Sequence, residues 1–156
     1  MLFRSTKGLS CPVGSLVVGA RNFIHEARRN RKILGGGMRQ AGVFAAAGIV
    51  ALNEMVDRLA EDHANARRLA EGLADMPGIE IDPAAVPTNI LFFQLVDPSI
   101  APQELADHLR ERRVVISRGP SRRIRMVTHY GIEAEHIDRA LHAFHEVLAK
   151  THGYSG

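Results

Sequence analysis

The chain has 156 residues, 46% of them apolar, and a formal charge of +3. That length holds one ordinary domain, or a small domain with part of another, and the apolar fraction supports a packed core. With no tryptophan and 5% aromatics the core is aliphatic, which argues against an aromatic-rich β-sandwich, and the low net charge argues against a nucleic-acid binder.

Cys11 is the only cysteine, so no internal disulfide forms, and this fits a reducing compartment. The opening "MLFR" is not followed by the apolar stretch of a signal peptide. The most apolar run, Ala41 to Leu52, is too short to span a bilayer. A soluble, cytoplasmic protein with no membrane partner is expected.

Taken in chain order, residues 1–6 form the end of a strand. "SLVVGA" (15–20) is a short apolar run bounded by glycines and predicts a buried strand. "RNFIHEARRNRKIL" (21–34) keeps helical spacing through Phe23, Ile24, Ala27 and Ile33. Gly35 to Gly37 break the chain. A helix is predicted from Met38 to about Val56, apolar nearly all round, and so buried on most sides or packed on another subunit. A charged amphipathic helix follows from Asp57, stopped by Pro77 and Gly78.

Beyond it, "IEI" (79–81) and "NILFFQLV" (89–96) read as strands, and residues 102–113 as a helix with proline at its start. "VVIS" (114–117) and "RIRMVTH" (123–129) read as strands around a "GPS" turn. Residues 133–150 close the chain as a helix with Ile137, Ala140, Leu141, Phe144, Val147 and Leu148 on one face. Two domains are therefore expected. Residues 58–156 form a small two-layer α/β unit with a mostly antiparallel sheet, whereas residues 1–57 offer strands with no sheet to join.

Four sets of residues carry candidate chemistry. Lys7, framed by Thr6 and Gly8, suits an amine nucleophile: burial disfavours the charged form and leaves a free amine to attack a carbonyl. The alternative is a plain surface lysine. "LGGGMRQAG" (34–42) offers backbone N–H groups near a helix start, and with Arg39 and Lys32 these can grip a phosphate; the alternative is a hinge. His142 and His145 are three apart on the last helix, but solvated histidines account for them, and no metal site is expected. Arg123 and Arg125 share one face of a strand, where a bidentate arginine can hold a carboxylate. An exposed, charged sheet edge accounts for them equally well.

The runs "STKGLSCPVGSLVVG", "RNRKILGGGMRQAGVFAAAGIVAL" and "RLAEDHANARRLAEGL", with "PTNILFF" and "RIRMVTH", resemble threonine aldolases of low specificity. These are pyridoxal-phosphate enzymes of the aspartate aminotransferase-like fold type I, and the resemblance covers essentially the whole chain. It implies an α/β fold: the C-terminal part of a large cofactor domain over residues 1–57, then a small α/β domain over residues 58–156. It implies that Lys7 binds pyridoxal phosphate covalently and that Arg39 serves the cofactor phosphate, from the neighbouring subunit. Lys32 is implied near the site, and Arg125, or else Arg123, holds the substrate carboxylate. The implied reaction is the cleavage of β-hydroxy-α-amino acids, L-threonine giving glycine and acetaldehyde, in a homo-oligomer, dimer or tetramer. Family chains are far longer, and the contacts to the cofactor ring and much of its phosphate site precede the lysine in them. The chain thus resembles the C-terminal half of such an enzyme. The alternatives are a catalytically inactive fragment acting as a folding or interaction module, and one half of a split enzyme.

Overall fold

The computed structural model describes residues 2–4, 6–117 and 119–151. The chain divides into two compact units, residues 1–59 and 60–156.

In the first unit, β1 (Leu2–Arg4) pairs antiparallel with β2 (Ser15–Val17), with Phe3 opposite Leu16. The expected strands thus exist, but they pair with each other. β2 is not the buried strand that its apolar run predicts: Leu16 is 45% and Val17 47% exposed. An apolar run signals burial only where something is packed against it.

α1 (Arg21–Ile33) follows, with Arg31 and Lys32 in its last turn, where cations favour the carbonyl end of the helix dipole. It ends on Gly35 at φ 76°, with the Gly35 amide donating to the Lys32 carbonyl and the Gly36 amide to the Arg31 carbonyl. This paired closure places a left-handed residue just past the helix, a position that favours the first glycine of the triplet. α2 (Gly42–Glu54) begins four residues later than the expected Met38, because residues 36–41 are spent on the loop. Its only buried residue is Ala51, while Val43 is 73% and Ile49 60% exposed. Leu9, Cys11 and Ala51 are the buried cluster of this unit, with Met55 and Leu59 packed on it.

The second unit carries the main core. α3 (Leu59–Ala74) buries Ala66, Leu69, Ala70 and Leu73 at helical spacing. Pro77 and Gly78, the latter at φ 83°, turn the chain into β3 (Ile79–Glu80). A short 3-10 turn (Pro83–Ala85) leads to β4 (Ile90–Leu95), then α4 (Pro102–Glu111), β5 (Arg123–Val127) and α5 (Ala134–Thr151). The sheet is antiparallel in the order β3-β4-β5. Leu91, Phe93, Leu95 and Ile124 point into the core, where Phe93 meets Phe144 of α5 edge to face at 5.8 Å.

"VVIS" is not a strand. The Val114 amide donates to the Leu109 carbonyl and the Arg113 amide to that of Arg110, with Arg113 at φ 63°. This is the same helix closure as at Gly35, here closing α4. It turns the chain so that Ile116 is buried in the core without a ladder partner among the described residues.

Polar contacts fix the unit's frame. Thr128 Oγ1 donates to the Asp62 carbonyl at 2.6 Å, and Asn89 Nδ2 donates to the Thr128 carbonyl at 2.7 Å. Arg122 donates to the carbonyls of Leu95 and Ile100, at 2.8 and 3.2 Å, and also to that of Asp97. One guanidinium therefore satisfies three carbonyls, one at the end of β4 and two in the loop that leads to α4.

Candidate functional site

Lys7 lies on the turn after β1. Its carbonyl accepts a hydrogen bond from the Ser10 amide at 2.9 Å, and Ser10 takes a left-handed φ of 54°. The turn is braced from below, because Leu9 and Cys11 are buried against Ala51 of α2, and Cys11 Sγ lies 3.8 Å from the Ala47 carbonyl. A Cβ on Gly8 would stand 2.5 Å from Leu59 Cδ2. Glycine at position 8 lets the turn approach this close, a requirement that residue types alone do not reveal. The Lys7 side chain itself is exposed. The burial expected of an amine nucleophile is not present, because the apolar contacts of the turn fall on its neighbours and not on the lysine.

Lys32 and Arg39 lie at the two ends of the glycine loop, and both are exposed. The Lys32 side chain runs along Gly37: a Cβ there would meet its Cδ at 3.1 Å and its Nζ at 3.5 Å. Neither cation has an ion-pair partner among the described residues. α2 starts at Ala41 with no side-chain cap and no acidic residue in its first turn. Its leading N–H groups are therefore unclaimed by side chains, an arrangement suited to an anion.

Arg123 and Arg125 belong to the second unit and stand on the outward face of β5, alternating with the buried Ile124. They differ in their company. The Arg123 guanidinium lies 4.5 Å from the centre of the Phe92 ring, whereas Arg125 has no hydrogen bond or ion pair among the described residues. Of the two, Arg125 is the one whose five donors are uncommitted.

Among the described residues no group of three or more His, Cys, Asp or Glu is placed to hold an ion. On α5, His142 Nε2 lies 3.1 Å from Glu146, which also accepts from Arg112 Nε at 2.6 Å. The bond from Arg112 holds the Glu146 carboxyl below its usual range. No helix is long and apolar enough to cross a membrane among the described residues.

Residues 1–96 match the beta-eliminating lyase family. Low-specificity L-threonine aldolase 1 of Arabidopsis thaliana is 44% identical over 144 residues, 92% of this chain and 40% of that protein. The low specificity L-threonine aldolase of Escherichia coli K12 is 41% identical over 145 residues, 93% of this chain and 41% of that protein. Among solved structures, an aspartate aminotransferase from Rhodobacter sphaeroides superposes on 99% of this chain with a TM-score of 0.65 at 20% identity, covering 41% of that protein. The methionine gamma lyase CalE6 of Micromonospora echinospora superposes on 90%, with a TM-score of 0.62 at 21% identity, covering 48% of that protein. The fold is therefore that of the aspartate aminotransferase-like α/β enzymes. The chain belongs to the beta-eliminating lyase family. It spans about two-fifths of the length of the curated relatives it matches.

Proposed function

We propose that this chain supplies the C-terminal part of a pyridoxal-phosphate-dependent threonine aldolase, a carbon–carbon lyase that cleaves L-threonine to glycine and acetaldehyde. The observation that carries the reading is the family match over residues 1–96, a stretch containing Lys7, Lys32 and Arg39. Identity to low-specificity threonine aldolases across nine-tenths of the chain supports the choice of reaction.

The residues present fit the cofactor. Lys7 offers an accessible amine on a braced turn, suited to covalent attachment of an aldehyde. Lys32, lying along Gly37, and Arg39, beside the uncapped start of α2, offer cationic donors to a phosphate. When bound, pyridoxal phosphate supplies the electron sink for cleavage at the substrate's α-carbon. Arg125 orients the substrate by its carboxylate through a bidentate pair, which determines the bond at the α-carbon that is presented for cleavage. Arg123 is the second candidate for that role, already engaged by Phe92.

In this reading residues 1–57 are the end of the cofactor-binding large domain and residues 58–156 are the small domain. The partners are an amino-acid substrate and further copies of the chain, and the compartment is the cytoplasm. The test is a fusion of the N-terminal portion of the Escherichia coli aldolase to this chain, assayed for acetaldehyde release from L-threonine with added cofactor. Cleavage that is lost in Lys7→Ala supports the assignment. A fusion that folds and takes up the cofactor at Lys7 but releases no acetaldehyde refutes it.

A further inference from the structure

A cleft of about 290 Å³ opens in the second unit between α3, the segment after α4, the end of β5 and the start of α5. Its floor is apolar, with Leu69 and Ile137 each 2% exposed and Met126 and Ile132 packed on the same core. At its open side stand the exposed Arg113 and Arg139 and the half-buried His136. No acidic residue lines it. The Glu133 amide donates to His136 Nδ1 at 3.0 Å, so the neutral ring carries its proton on Nε2 and adds a further donor. Neither guanidinium is engaged by a side-chain hydrogen bond or ion pair among the described residues. The cleft thus combines an apolar floor with two arginines and a histidine at its open side.

Two details set this cleft apart from an ordinary surface groove. Arg113 takes φ 63° at the position that closes α4, where glycine is the favoured residue. A long charged side chain held in that conformation carries backbone strain, and such strain collects at functional positions. Beside it Val115 is 72% exposed although it borders the apolar floor.

We propose that this cleft binds a small aliphatic carboxylate, its branched tail on the Leu69–Met126–Ile137 floor and its carboxylate against Arg113 and Arg139. The volume is at the small end of ligand sites, roughly 300–1,000 Å³, which limits the ligand to the size of an amino-acid side chain with its acid group. A carboxylate suits planar guanidinium groups, and the apolar floor disfavours a wholly hydrated ion such as inorganic phosphate. The cleft lies at the end of β5, on Met126, Val127 and Thr128, and neither Arg123 nor Arg125 lines it. The proposal therefore goes beyond the lyase reading and does not depend on it.

The test uses the full chain with 4-methylpentanoate as probe, followed by calorimetry and by the methyl resonances of Met126 and Ile132. Acetate, inorganic phosphate and 4-methylpentan-1-ol are the comparison ligands. Saturable binding of the acid that moves those methyls is expected, with each comparison ligand weaker by about tenfold, the effect of one charge-assisted contact. Arg139→Gln and Arg113→Gly each lower the affinity by a similar factor. Arg113→Gly also relieves the left-handed strain, so it should melt no earlier than the parent, and its lost binding cannot come from unfolding. Equal affinity for the acid and the alcohol, or preference for phosphate, overturns the proposal. So does binding that survives both rim variants but disappears in Arg125→Gln.

Discussion

The Arg123 guanidinium stands 4.5 Å from the centre of the Phe92 ring, while the residue directly across the ladder from Phe92 is Arg125. Arg123 reaches the ring along the diagonal, a range open to long side chains. The two arginines share a face and a strand but not a role: one is held by an aromatic ring, the other is uncommitted. An exposed stack of this kind contributes about 0.5–1 kcal/mol. Arg123→Gln is expected to lower stability by that amount, and the loss should vanish when Phe92 is already leucine. Arg125→Gln should leave stability unchanged within about 0.5 kcal/mol. Urea titrations of the four variants and the parent measure this. A cost at Arg125 equal to that at Arg123 would mean that both serve the sheet, and the carboxylate assignment would lose its support.

The exposed surface of α2 leads to a second expectation. Val43, Ile49, Val50 and Leu52 are each about half or more exposed, on a helix that is apolar nearly all round. Contiguous apolar surface of that kind drives association. Sedimentation of the isolated chain at micromolar concentration should show dimers or larger species, and Val43→Lys with Ile49→Lys should shift the population toward monomer. A clean monomer for the parent chain would show that α2 needs no partner.

Helix packing in the second unit gives a third. Gly72 lies in the middle of α3, and a Cβ there would meet both Leu141 methyls at 2.6 Å. Alanine would gain about 1 kcal/mol of helix propensity but incur an overpacking cost of about 1–3 kcal/mol. The clash is with two methyls and wins. Gly72→Ala should destabilise modestly, and Leu141→Ala in the same chain should recover the propensity gain. An alanine that stabilises on its own would show that Leu141 turns aside freely.

Much of the second unit is legible in the sequence because its elements face a real core. The apolar positions of α5 and the alternation of β4 are periodic for that reason, and both form where expected. The failures have physical causes. "VVIS" has strand composition, but the chain enters it through a left-handed Arg113, and propensity does not register that turn. "SLVVGA" reads as buried because it is apolar, yet Leu16 and Val17 remain exposed. The candidate site residues can be picked out by type and spacing, but only the family resemblance gives them roles. Spacing alone could not separate Arg123 from Arg125, since the distinction lies in Phe92 on the neighbouring strand. Nor could it place Lys7 in the open, since its turn is buried through Leu9 and Cys11.

Acid should loosen the junction of α4 and α5. Glu146 accepts from Arg112 and lies against His142, and its carboxyl is held below the ordinary value of 4.5, chiefly by the Arg112 bond. A depressed carboxyl means that the unfolded chain binds the proton first as pH falls. The stabilisation is therefore fully present above the ordinary value and lost as pH drops through the folded one. Melting of the parent should fall more steeply below that value than melting of Glu146→Gln, the two converging in strong acid. Parallel profiles would show that the pair is too well solvated to matter.

The final expectation concerns Lys7. The side chains of Lys7, Lys32 and Lys150 are all exposed. Access alone therefore cannot make one of them selective for pyridoxal phosphate. Selectivity must come from what surrounds the amine, and the glycine loop with Lys32 and Arg39 is a candidate that attracts a phosphate. If that loop and the Lys7 turn serve one site, cofactor trapped by borohydride should appear on Lys7 well above Lys32 and Lys150 in peptide maps. Arg39→Gln should lower the label on Lys7 without changing that on Lys150, because it removes phosphate affinity and not amine reactivity. Lys7→Ala should remove the selective label and leave the melting of the second unit unchanged. Equal labelling of the three lysines, unaffected by Arg39→Gln, would show that the turn and the loop do not act together in this chain.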